Sequence, residues 1–372
     1  MNRLNLADNL VRLRHEKKVT QEQLADFVGV TKASVSKWET RQSTPDIALL
    51  PQLASYFDVT IDDLVGYSPQ LSKEQIRRLY QEFAEDFASR PFAEAMAKTK
   101  RYVKQYYSCY PFLFQISVLW LNHYTLAAEK ETQEEVLRDI SGLCDRIREN
   151  CSVISLCSDA TALGAFTRLQ LGQAQEVIDA LEDVLEPFRL LRQSDNVLIM
   201  AYMMNNNQDK AESFSQMTMY SSLLSLVNAS RVYLSMHADQ PDICQKTIER
   251  TEAVINAFSL ITLNPNGTAQ FEYQAALCCL AQNEKESALD HTERYVSSIQ
   301  ELFSSETLML RSDDYFTRIG ECFEQLDSGA DAPRSRKLVL EDVCHSLSHP
   351  AFSALEGEPK FEHLKNRLKE IR

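Results

Sequence analysis

Between Thr20 and Arg41 the apolar positions switch from one helical face to another within a few residues. Leu24, Ala25, Phe27 and Val28 recur at the three-to-four spacing of an amphipathic helix. Thr20 just before them is a good N-cap, because its hydroxyl can accept from a free amide of the first turn. Gly29 follows. It takes a left-handed backbone at no steric cost, so the helix is expected to end there. Thr31 caps a second helix at once, with Val35 and Trp38 on its inner face and Lys32, Ala33, Ser34, Ser36 and Lys37 on the outer one. Two short helices about a glycine turn, the second with a small, polar or basic outer face, predict a helix-turn-helix able to enter a DNA major groove.

The same periodicity extends to both sides. Leu6, Leu10 and Leu13 predict a helix from about Leu6 to Lys17, and its basic end (Arg12, Arg14, Lys17, Lys18) is expected near a phosphate path. Arg41, in the loop TRQSTPD, is a cation able to reach the nucleic-acid backbone. Pro51 lacks the amide of a mid-helix residue, so a fourth helix is expected to start near Leu49. TIDDLVG runs from a capping Thr60 to a terminating Gly66. Gly, Pro and two Ser in GYSPQLS mark a linker. From Ser72 onwards every segment reads as helix, down to a last amphipathic stretch with Phe361, Leu364 and Leu368 on one stripe. The expected organisation is a head at 1–66, a linker at 67–72 and a helical body at 73–372.

The stretch LADNLVRLRHEKKVTQEQLADFVGVTKASVSKWETRQSTPD, followed by LLPQLASYFDVTIDDLVG, resembles the Cro/C1-type (XRE) helix-turn-helix family of repressors. The resemblance implies an all-α fold that opens with a five-helix lambda-repressor-like domain, and a sequence-specific transcription regulator. It puts Lys32, Ala33 and Lys37 at base-reading positions, Gln21 on a phosphate at the start of helix two, and Arg14 with Glu39 in an internal ion pair.

A repeat follows in the body. LGQAQEVI (Leu171–Ile178), NNNQDKAE (Asn205–Glu212) and the looser LAQNEKESAL (Leu280–Leu289) share a pattern, with small residues such as Ala165 and Ala276 in the helices before two of them. Period and pattern resemble tetratricopeptide repeats, although bulky signature positions differ and Asn206 stands where a turn glycine is usual. Such pairs stack into an α-solenoid with a concave face. A head of this kind fused to such repeats resembles the peptide-responsive regulators of Gram-positive bacteria. That implies a homodimer through the repeats and a short peptide in the groove, its backbone held by asparagines. Asn122, Asn205 and Asn228 are the candidates on first helices. The alternative is a DNA-tethered scaffold whose repeats bind another protein with no small effector. Polar groove side chains favour the first, an apolar strip the second.

Charge refines this picture. The chain of 372 residues has a net charge of −14, which by itself argues against DNA. Residues 1–41, however, carry eight Lys or Arg against five acids, a local excess of three. Nucleic-acid affinity follows the local field. A single head of that charge is expected to bind weakly, and dimerisation would compensate.

No cofactor or metal is expected. The nine cysteines include no C-x-x-C and read as buried thiols. His345 and His349 have ligand spacing, but Pro350 follows them and they read as decoration of a helix end. No phosphate loop, dinucleotide fingerprint, H-E-x-x-H or nucleophile elbow is present, so no enzyme is expected. The absence of an apolar run of about 20 residues and of an apolar leader predicts a cytoplasmic protein without membrane contact.

Overall fold

The computed structural model describes residues 5–67, 70–182, 194–325 and 331–371. Ser68 and Pro69 of the linker, and Asp327–Ala330 of the loop DSGADAPR, lie outside them. The chain divides into two compact units, Met1–Ser72 with Lys104–Cys109, and Lys73–Val103 with Tyr110–Arg372.

The first unit holds five helices: α1 (Leu6–Glu16), α2 (Gln21–Val28), α3 (Lys32–Glu39), α4 (Leu50–Phe57) and α5 (Ile61–Val65). Their ends follow from the residues that flank them. Thr20 accepts from the Gln23 amide, and Gln23 returns a carbonyl oxygen to the Thr20 amide, so two free donors are satisfied reciprocally. Gly29, at φ +74°, turns the chain into α3, where Thr31 accepts from Ser34. A 3₁₀ turn, Ile47–Leu49, precedes α4 and places Pro51 in its first turn, where the missing amide costs nothing. Leu10, Leu24, Val35, Leu53 and Leu64, one from each helix, are fully buried at the centre. Phe27 departs from the apolar face expected of it. It is 56% exposed and lies against Tyr56 with ring centroids 4.4 Å apart, because one step along a helix from Val28 already points away from the core.

The second unit begins with α6 (Lys73–Ser89), α7 (Phe92–Gln105), α8 (Tyr110–His123), α9 (Lys130–Asn150), α10 (Ile154–Gln170) and α11 (Ala174–Leu181). It continues with α12 (Ser194–Met204), α13 (Gln208–Met236), α14 (Pro241–Ala257), α15 (Leu260–Leu263), α16 (Pro265–Ala281) and α17 (Lys285–Leu302). It ends with α18 (Ile319–Gln325), α19 (Arg336–His345) and α20 (Pro359–Lys369). Among the described residues the only β feature is an isolated bridge, Met309 with Asp331.

The three repeat copies fall on one recurring turn. Gly172, Asn206 and Asn283 have φ of +76°, +54° and +61°. Each preceding helix ends two residues earlier and each following helix starts two residues later. In each turn the residue after the left-handed one donates its amide to a carbonyl five positions back: Gln173 to Arg168, Asn207 to Tyr202, Glu284 to Cys279. This is the helix-ending geometry that left-handed residues permit, and asparagine tolerates it better than most residues other than glycine. Ala165 and Ala276 are buried where neighbouring helices close in, and beside Ala165 a Cβ on Gly164 would come within 3.2 Å of Cys144. The 29-residue α13 outruns the repeat pattern because no Gly or Pro interrupts it. At the far end Phe361, Leu364 and Leu368 of α20 are buried, and Phe361 stacks on Phe352 at 5.9 Å. The last helix therefore closes its own unit.

Candidate nucleic-acid interface and repeat groove

Val35 and Trp38 fix α3 in the first unit's core, and the opposite face stays open. Thr31, Lys32, Ala33 and Lys37 are exposed, while Ser34 and Ser36 are half-buried. Lys37 has no side-chain partner among the described residues, and Lys32 lies 3.7 Å from Glu22 in an exposed pair. The Thr31 and Ser34 hydroxyls are 2.9 Å apart, with Thr31 also capping the helix, so both serve local structure first.

Behind this face sits the expected ion pair. Arg14 donates through Nε to Glu39 Oε1 (2.7 Å) and through Nη2 to Oε2 (3.1 Å), with little of either side chain exposed. Burial pushes the Glu39 carboxyl up, but the bonds from Arg14 and Gln21 outweigh it and hold its pKa below the usual carboxylate value. The same bond to Glu39 raises Arg14. Gln21, the residue expected at a phosphate, donates through Nε2 to Glu39 Oε2 at 2.7 Å and ties the start of α2 to the end of α3.

Most cations at the basic end of α1 lie in local ion pairs. Arg12 pairs with Glu16 (3.0 Å), Arg14 with Glu39 and Lys17 with Asp58 (3.0 Å), which leaves Lys18 without a side-chain partner among the described residues. Arg41, at φ +62°, bonds Asp8 Oδ2 at 2.5 Å. One contact had no clear signal in the pattern: Asn9 donates to the carbonyls of Asp63 and Leu64 and ties α1 to α5.

A helix-turn-helix family model matches residues 10–64. The HTH-type transcriptional activator BcrR of Enterococcus faecalis is 40% identical over 59 residues, 16% of this chain and 29% of that protein. The uncharacterised HTH-type transcriptional regulator YobD of Bacillus subtilis is 33% identical over 76 residues, 20% of this chain and 68% of that protein. The chain belongs to the helix-turn-helix transcriptional regulators. It spans well under half of BcrR. A crystal structure of Bacillus thuringiensis PlcR in complex with the peptide PapR7 and DNA matches over 80% of this chain and 94% of that one. Its identity is 14% and its TM-score of 0.23 is too low to carry an argument.

In this helix-turn-helix regulator the second unit contains a hollow of three adjoining cavities, of about 160, 380 and 600 Å³. Asn266 and Gln270 of α16 line all three. Asn228 and Arg231 of α13 stand at the first, and Asn122 of α8 at the third. Tyr273 and Tyr295 border the second, with hydroxyls bonded to Ser346. Burial pushes Tyr295 up to about 12, so it remains a protonated donor. Two of the three candidate asparagines thus face the hollow. Asn205 does not line it and is an exposed residue of the α12–α13 turn. Asn264, Asn266 and Gln270 were missed, because which face of α16 looks inward depends on how the helices stack, not on their own period.

All nine cysteines are free thiols, and Cys151, Cys157, Cys322 and Cys344 are only half-buried. Burial pushes Cys144 and Cys279 up to about 12. His345 Nδ1 bonds the Glu341 carbonyl, and His349 accepts from the Ala351 amide. One trio of possible metal donors occurs among the described residues: Glu252, Glu272 and His291. His291 Nδ1 is 2.7 Å from Glu272, and Arg294 pairs with Glu252, so each carboxylate already faces a nitrogen. No described helix is long and apolar enough to cross a membrane.

Proposed function

We propose that this chain is a homodimeric, operator-specific DNA-binding regulator whose activity responds to a short peptide in the repeat groove. The head is residues 1–66, joined through 67–72 to a sensing and dimerising body at 73–372, and the protein works in the cytoplasm. The DNA reading rests on one observation: Val35 and Trp38 hold α3 rigidly while Lys32, Ala33 and Lys37 project outward with no strong internal bond. Lysine at such a position can bond a guanine edge, and Ala33 offers a methyl contact. Thr31, Ser34 and Ser36 border the same face. Gln21 and Arg41 contribute at the phosphates only as far as their bonds to Glu39 and Asp8 allow.

The peptide reading is supported by the chemistry of the hollow. Asn122, Asn228, Asn266 and Gln270 bring side-chain amides to the hollow, the group that can both donate to and accept from an extended peptide backbone, while Asn264 is engaged by Tyr220 and Gly267. A second copy is supported by α12, where Val197, Met200 and Met204 form an exposed apolar stripe. Selection of operators from random DNA with wild-type protein tests the first claim. Lys32→Ala and Lys37→Ala are each expected to shift base preference and weaken binding by about 1–3 kcal/mol. Unchanged operator binding by the double variant would show that another face reads the DNA.

A further inference from the structure

Two charged side chains at the hollow have no ion-pair partner among the described residues: Asp331 at the third cavity, which accepts only from Gln81, and Arg231. Arg231 extends from α13 between the first two cavities and lines both. Its Nε and Nη2 lie 3.3 and 3.1 Å from one acceptor, the Asn228 carbonyl oxygen. Among the described residues no carboxylate pairs with it. Three other half-buried arginines of the unit differ. Arg168 pairs with Asp145 (2.6 Å), Arg311 with Glu301 (2.6 Å) and Arg318 with Asp209 (2.5 Å). The acid that shares the second cavity, Asp342, is already bound by Arg334 Nη1 at 2.5 Å. In a chain with 53 acids and 39 Lys or Arg, a half-buried guanidinium without an acid, facing a cavity of neutral amides, is out of balance with its surroundings.

Its geometry adds to this. The Asn228 amide takes the edge formed by Nε and Nη2, one spacing of three residues away on the same helix, and so holds the plane of the fork. The edge formed by Nη1 and Nη2 remains for an acceptor with two oxygens. A single uncommitted cation matches a single negative charge. A phosphate dianion would call for a second cation, and the other guanidinium at the hollow, Arg334, is engaged by Asp342.

We propose that Arg231 anchors a carboxylate of the groove ligand, while Asn266 and Gln270 grip its backbone. This rests on the reading of the hollow as a peptide site. The carboxylate belongs either to the free C-terminus of the peptide or to an Asp or Glu side chain.

Pools of random short peptides separate these sources. One pool carries free C-terminal acids and another carries C-terminal amides, each made with and without Asp and Glu. Peptides retained by the full-length protein are identified, and the best are titrated by fluorescence anisotropy. Retained peptides are expected to share a carboxylate at one position. Arg231→Gln is expected to weaken them about 10- to 100-fold, the range for loss of a charged hydrogen-bonded partner, and their neutral analogues only about twofold. Arg231→Lys should restore part of the loss. An unchanged melting temperature of Arg231→Gln checks the fold, which this side chain supports only through Asn228. Enrichment of terminal acids assigns the C-terminus, and enrichment of internal Asp or Glu assigns a side chain. Peptides bound without carboxylate preference, or equally by Arg231→Gln, would overturn the anchor and leave the groove reading intact. Wild-type protein that retains no peptide would overturn the groove reading and the anchor with it.

Discussion

In the second unit the more apolar of two helices is the more exposed one. α17, KESALDHTERYVSSIQEL, alternates charged and apolar faces, and buries Ala288, Tyr295, Val296 and Ile299 against α16 and α20. α12, SDNVLIMAYMM, is apolar from Val197 to Met204, yet none of its described side chains is buried. Val197, Met200 and Met204 are 66%, 62% and 84% exposed and fall on one stripe. A helix that is apolar all round normally lies inside a larger core. An amphipathic stripe identifies the face a helix turns to its own chain. An all-round apolar helix tells only that some cover exists, and that cover can be a second molecule.

This contrast breaks most readily at its packed end. Phe361→Ala removes a fully buried ring that stacks on Phe352, and is expected to lower folding stability by about 3–5 kcal/mol in denaturant unfolding. The mass of the assembly at matched concentration should not change. Met200→Glu with Met204→Glu should do the reverse. Folding stability is expected to stay within about 0.5 kcal/mol, as for exposed positions generally. Association should weaken by about 3 kcal/mol, since covering a Met side chain contributes about 1.5–3 kcal/mol. Sedimentation equilibrium measures this, and an unchanged dimer would show that α12 is covered in another way.

A buried polar ring sharpens the comparison further. His123 is fully buried, stacks on Phe87 and bonds the Leu119 carbonyl through Nδ1, while its Nε2 has no partner among the described residues. Burial, against the Leu119 bond and with a smaller push from Arg334, lowers its pKa to about 4. The unfolded chain titrates near about 6.5, so between these values it binds more protons than the folded one. Stability should therefore fall as pH drops from about 6.5 towards 4, by up to about 3 kcal/mol. His123→Leu should flatten that slope in melts taken across the range. An identical slope would place the acid sensitivity in other groups. The smallest effects concern the shared turns. Gly172→Ala is expected to cost about 1 kcal/mol at its positive φ, and Asn206→Gly to gain a few tenths, because only glycine takes this conformation without a steric penalty. Thermal unfolding reads both, and a stabilising Gly172→Ala would show that the turn is not held left-handed.

The sequence was most informative where local chemistry alone decides the structure. Thr20, Gly29, Thr31, Thr60 and Gly66 cap or end helices through bonds to residues a few positions away, so the five helices of the head could be read almost residue by residue. The Arg14–Glu39 pair came through family resemblance. Its third member, Gln21, did not, because its bond to Glu39 spans 18 positions. The pairing of Arg12 with Glu16 is readable as a spacing of four, whereas that of Lys17 with Asp58 spans 41 positions and depends on how α1 and α4 pack. In the body, the turn at Asn206 was legible and the role of Asn205 was not. Neighbouring residues in a turn share composition but differ in direction. Arg231 stands three residues after Asn228, a readable spacing, but its lack of an acid partner emerges only when every carboxylate nearby is placed.

Arg12, Arg14, Lys17 and Arg41 already have carboxylates within the head, and this bears on how salt acts on an operator complex. Phosphates neutralised by uncommitted cations release condensed counterions, and that release makes protein–DNA affinity fall with ionic strength. Among the described residues Lys18, Lys32 and Lys37 are the head's least committed cations, so on the proposed reading the logarithmic slope is expected to be no steeper than about −3 per head, and shallower where a lysine contacts a base rather than a phosphate. A reader with so few ions to release gains little from dilute buffer on random DNA and loses little at high salt on its own site. On the proposed reading, this internal pairing of charges leaves discrimination to the fit of α3 to base edges, and that discrimination is expected to hold steady as the ionic strength of the surroundings changes.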